Sequence, residues 1–121
     1  SNEEASITRG EEPATSPDIA RVGKPRWKMV SEFSGSRNAK TSAFEINANE
    51  WKIEWDVEPS ESANSEFIVI MYNKNDKEDS EIIATQVGPG RDYADFEGGK
   101  GEYYLDVTTN QPYTIQVSEF R

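Results

Sequence analysis

The chain has 121 residues, of which 34% are hydrophobic and 30% charged, and its formal net charge is −10. Cysteine and histidine are both absent, which excludes disulfides, thiolate metal sites, cysteine nucleophiles and the commonest general base. An acidic surface is repelled by phosphate backbones and anionic lipid, so nucleic acid is not an expected partner.

Residues 1–23 are rich in Glu, Ser, Thr, Ala and Pro, with Ile7, Ile19 and Val22 as the only large aliphatics. Such a segment cannot bury enough apolar surface to offset chain entropy, so a flexible acidic linker is expected over 1–23. Ser1-Asn2 reads as the remnant of a cleaved tag. Linkers of this composition commonly follow the processing site of lipid-anchored exported proteins. No run of eighteen apolar residues occurs, so no membrane-spanning helix is expected in this sequence.

From Trp27 onward the hydrophobic period is two, the signature of half-buried strands. Trp27, Met29 and Phe33 alternate with Lys28 and Glu32, and Phe44 and Ile46 flank Glu45. Asn47-Ala48-Asn49-Glu50 reads as a hairpin turn. The clearest alternation is Trp51-Lys52-Ile53-Glu54-Trp55-Asp56-Val57, with four apolar residues on one face and three charged ones on the other. Phe67–Tyr72 is a continuous apolar run of six residues, as in a strand covered on both faces. Asp76–Glu81 reads as a solvated hairpin loop and Ile82–Val87 as a weaker strand, stopped by Gly88-Pro89-Gly90. Tyr93–Phe96 is a short edge strand. Tyr103–Val107 and Tyr113–Val117 alternate again. About eight strands at spacings near ten residues predict an all-β, two-layer antiparallel sandwich or jelly roll over 24–121. Its expected core is Phe44, Ile46, Trp51, Ile53, Trp55, Phe67, Val69, Tyr103, Leu105, Ile115 and Val117.

Three sets of residues are candidates for chemistry. Aromatic rings can stack on sugars. Trp51 and Trp55 are in phase with Ile53 and Val57, which assigns them to the core. Trp27, Tyr72, Tyr93 and Tyr104 are the ligand-binding candidates, because they start a strand or fall out of phase with buried neighbours. Acidic loops could offer oxygens to calcium through Asp76, Asp79, Asp92 and Asp95, but the spacing does not match an EF-hand. The plainer reading of those acids is a solvated charge run that also discourages edge pairing. No other cofactor is implied. The glycines at 98, 99 and 101 surround Lys100, yet no Ser or Thr opening a helix follows, so they serve turns rather than a phosphate loop. Hydrolysis would fall to carboxylates such as Glu54 and Asp56, neighbours on one strand face. No catalytic residue is assigned.

The segments Thr41–Ile46, Glu50–Trp55, Phe67–Val69, Gly101–Val107 and Tyr113–Val117 together resemble small β-sandwich domains of exported prokaryotic proteins and lipoproteins. The outline is also similar to the CUB-like jelly roll, without the disulfides usual in its animal members. The resemblance spans about Trp27 to Glu119 and rests on fold markers. It implies a non-catalytic extracytoplasmic module of a secreted or lipid-anchored protein, acting in recognition, adhesion or scaffolding. A carbohydrate-binding module, with or without calcium, is the alternative, and a small carboxylate hydrolase ranks third. The partner would be a protein or a glycan.

Overall fold

A computed structural model describes residues 24–59 and 65–121. The expected linker over 1–23 lies outside the described residues.

Among the described residues, nine strands form two antiparallel sheets. In chain order they are β1 (Trp27–Gly35), β2 (Ala39–Lys40), β3 (Phe44–Ile46), β4 (Glu50–Val57), β5 (Glu66–Asn73), β6 (Asp76–Val87), β7 (Gly90–Glu97), β8 (Gly101–Thr109) and β9 (Tyr113–Phe120). One sheet has the order β1-β9-β4-β7. The other has the order β2-β8-β5-β6, with β3 also paired to β8. Counting β2 and β3 as one interrupted strand gives an eight-stranded, two-layer sandwich wound as a jelly roll. The chain crosses repeatedly between sheets, so most of its pairings join distant segments.

The core follows from strand alternation. Along β4, Trp51, Ile53, Trp55 and Val57 are buried, while Lys52, Glu54 and Asp56 lie on the outer face. All eleven expected core residues are buried, joined by Val57, Met71, Ala84, Val107 and Tyr113. Each such side chain contributes about 1.5–3 kcal/mol through lost contact with water. Trp51 stacks on Phe96 at 4.3 Å between ring centroids, and its Nε1 donates to Gly98 O at 2.8 Å. Burial therefore leaves no unpaired indole N–H at this position.

Local expectations are corrected at four places. Asn47–Glu50 is no hairpin turn: β3 pairs with β8 and β4 with β9 and β7, so these residues carry the chain from one sheet to the other. Asp76–Glu81 is not a loop but the first half of β6, a twelve-residue strand whose exposed edge tolerates continuous charge. Phe67–Tyr72 is covered on one face only. Phe67, Val69 and Met71 enter the core, whereas Ile68, Ile70 and Tyr72 remain half-exposed outside it. Finally, Trp27 and Met29 do not share a face with Phe33. A register shift between Met29 and Ser31 inserts an extra residue and reverses the phase. Met29 is 59% exposed and Trp27 37%, while Phe33 packs against the core.

Candidate functional site

The outer face of the four-stranded sheet carries the densest set of functional groups. Register sets it out in rows across β1, β9, β4 and β7. One row is Glu32, Gln116, Glu54 and Tyr93, and the next is Ser34, Thr114, Asp56 and Arg91. These residues alternate with the core positions of the same strands, so the period of two that builds the core also projects them outward.

Neighbouring groups hold one another in place. Gln116 Nε2 donates to Glu32 Oε2 at 2.8 Å, and Arg91 Nε donates to Asp56 Oδ2 at 3.1 Å. Lys52 Nζ lies 3.7 Å from Glu54 Oε1 and 4.2 Å from the centroid of the Trp27 ring. Exposed ion pairs of this kind add little stability, so their main effect is on side-chain orientation. A groove of about 470 Å³ runs between β4, β7 and β9, lined by Glu54, Trp55, Asp56, Arg91, Asp92, Tyr93, Thr114 and Gln116. Tyr93 is 57% exposed on its wall. The groove thus joins a free aromatic face to carboxylate acceptors, an amide, a hydroxyl and a guanidinium.

The four aromatic candidates divide between the two outer faces. Trp27 and Tyr93 are on the four-stranded sheet, with Trp27 packed on Phe120 at 5.2 Å. Tyr72 and Tyr104 stack on each other at 5.2 Å and 13° on the five-stranded sheet, so each covers one face of the other. The four acidic candidates are scattered as well. Asp76 Oδ1 accepts from Glu78 N at the start of β6, and Asp92 Oδ1 accepts from Tyr93 N beside the groove.

Asp79 and Asp95 reach a second cleft, of about 310 Å³, on the open side between β6 and β7. Trp51, Met71, Phe96 and Tyr103 form its apolar lining, with Asp79, Glu81, Asp95 and Glu97 along it. Burial, and then the charge of Asp79, raises the pKa of the Tyr103 hydroxyl, which donates to Gly99 O. Among the described residues, no group of three or more His, Cys, Asp or Glu is gathered closely enough to hold a metal ion. Glu54 and Asp56 stand side by side on one strand, each beside a base, rather than on opposing walls of the groove.

Sequence reasoning did not single out Arg91, Thr114 or Gln116. Each is a polar residue at an outward position of an alternating strand, and only the register places them beside Glu54 and Asp56. Glu119 was also missed. It is 1% exposed, and it continues the inward phase of Tyr113, Ile115 and Val117. Its Oε2 accepts from Asn47 N at 2.6 Å and its Oε1 from Arg121 Nε at 2.6 Å. Burial pushes its pKa up, but the N–H groups of Asn47 and Ala48 and the Arg121 guanidinium outweigh burial and hold it below the ordinary carboxylate range.

The fold and the groove define a jelly-roll β-sandwich domain with a polar, aromatic-edged outer face. No family model matches the chain, and no curated protein matches it in sequence. Among solved structures it is similar to the crystal structure of SPBc2 prophage-derived protein YomS. The TM-score is 0.51 at 13% identity, covering 83% of this chain and 97% of that one. At such identity the likeness concerns the fold alone.

Proposed function

We propose that this chain is a non-catalytic recognition module of an exported protein, secreted or anchored at the cell surface, and that the groove between β4, β7 and β9 is its binding site. The observation that carries this reading is the exposed Tyr93 ring beside Glu54, Asp56, Arg91 and Gln116. A ring face with fixed donors and acceptors around it suits a hydroxyl-rich, partly apolar ligand. A glycan is therefore the favoured ligand class over a protein. Both carboxylates stand beside bases on a single strand, an arrangement for holding a ligand rather than for acid and base work across a bond. The missing cysteines and histidines agree with that.

A glycan array probed with the full chain, with and without calcium, tests the reading. Binding that disappears in Tyr93→Ala, while the circular dichroism spectrum is unchanged, supports it. Silence on every glycan under both conditions removes the glycan and leaves protein recognition to be tested by the same variant. Fractionation of cells expressing the full-length protein tests the location; retention in the cytoplasm would overturn that part.

A further inference from the structure

We infer that the cleft on the open side of the sandwich, between β6 and β7, is a second binding site, which takes an arginine-bearing extended segment of a partner protein. The inference is independent of the groove, since no residue lines both.

On this side the two sheets close at one end only. Ala84 of β6 is buried, and Gln86 joins Trp55 Nε1 to the Gly88 carbonyl, which seals the end nearest the β6–β7 turn. Further along β6, Glu81 is the register partner of Met71, with Asp79 beyond it, where apolar side chains would complete the core. The cleft of about 310 Å³ opens there. Trp51, Phe96 and Tyr103 line it, with Phe96 half-buried and stacked on Trp51.

Charge and shape decide the occupant. Among the described residues that line the cleft, four are carboxylates (Asp79, Glu81, Asp95 and Glu97) and none is a base. The surrounding bases do not cancel them. Lys52 is engaged by Glu54, Lys74 by Glu102 and Arg91 by Asp56. Lys77 and Lys100 remain, and Glu50, Asp76, Glu78 and Asp92 outnumber them. A metal ion does not suit the cleft, because no three of its acids are gathered around one point. A guanidinium does: it spreads its charge over a plane, stacks on rings and forks onto carboxylates. The protein already holds one cation between a ring and an acid, since Lys52 Nζ lies 4.2 Å from the Trp27 ring centroid and 3.7 Å from Glu54 Oε1. The four acids also fall in i, i+2 pairs, Asp79 with Glu81 and Asp95 with Glu97. Residues so spaced on a strand are about 7 Å apart, which is the spacing of same-face side chains in an extended peptide. Both β6 and β7 are terminal in their sheets, so each offers unpaired backbone groups to the main chain of such a peptide.

Titration of the isotopically labelled full chain with a capped octapeptide alternating Arg and Thr, followed through its amide chemical shifts, tests the inference. Shifts should concentrate at Asp79–Glu81 and Asp95–Gly99, and the affinity should fall as salt rises. The same peptide with Lys in place of Arg should bind several-fold more weakly, and with Glu in place of Arg not at all. Asp79→Asn with Glu81→Gln in one chain, both at exposed positions, should raise the Kd about fivefold or more. Glu66→Gln, a loss of charge at the opposite end of the same sheet, should leave it unchanged. An Arg peptide that does not bind, or whose shifts are confined to the outer face of the four-stranded sheet, overturns the inference. So does a Kd that the double variant leaves unchanged in a folded chain, or equal binding of the Lys peptide, which would mean that charge alone is read.

Discussion

Trp55 sits on the inner face of β4, and its Nε1 donates to Gln86 Oε1 at 3.1 Å across the sandwich. Replacing it with alanine leaves a cavity and takes the indole donor away from Gln86 Oε1. Trp55→Ala should therefore cost about 3–5 kcal/mol, read as a large drop in the denaturation midpoint; a near-native midpoint would show that the indole is not core. Glu119 makes a different prediction. Its folded pKa is depressed, so its contribution is full above the unfolded value of about 4.3 and is lost as pH falls through the folded one. Glu119→Gln should lower the melting temperature at neutral pH, and its gap to wild type should narrow as pH falls below about 4. A gap that is constant from neutral to acid would mean that the charge plays no part. At this scale the core was readable, because alternation alone separates Trp55 from Glu54. Glu119 was readable only in part: its phase says inward, but a buried carboxylate needs donors, and its backbone donors come from the Asn47–Ala48 segment over seventy residues away.

Strand β1 shows what one extra residue does to an element. Its bulge turns Trp27 and Met29 outward, where Trp27 meets Phe120 and Lys52. Deleting Val30 should join Met29 to Ser31 in the register they already hold against Ser118 and Val117, so Trp27 and Met29 stay outward and both contacts persist. Unshifted tryptophan emission is the expected outcome; a blue shift would mean that the deletion turns Trp27 inward and that Val30 is not the inserted residue. Period-two patterns revealed most strands and the edge position of β7. They did not reveal the bulge, because a strand with an insertion still alternates on either side of it. They also misjudged β6. Six nearly continuous polar residues look like a loop in one dimension, yet an edge strand has a free side that keeps such residues in water.

In the whole sandwich, the first of the described strands pairs with the last: β1 runs beside β9 from Trp27 to Gly35. Pairings this distant require costly loop closure, so refolding should take milliseconds to seconds rather than microseconds, a rate that stopped-flow tryptophan fluorescence measures directly. The groove needs no rearrangement to exist, since its strands are already paired. A ligand of the groove should raise the melting temperature with the logarithm of its concentration above Kd, by about 2.7 kcal/mol of stability at a hundred times its Kd. Composition, charge and alternation by themselves determined the all-β class, the identity of the core and the exclusion of cysteine and histidine chemistry. These are local properties: a side chain's phase on its own strand is written in its immediate neighbours. Only the tertiary structure decided which sheet each strand joined, and so which outward residues became neighbours. Glu54 meets Gln116 and Tyr93, and Ile70 meets Ile82 and Asp106, through registers between segments distant in the chain. Register is set by the packing of whole faces against each other, and no local pattern carries it.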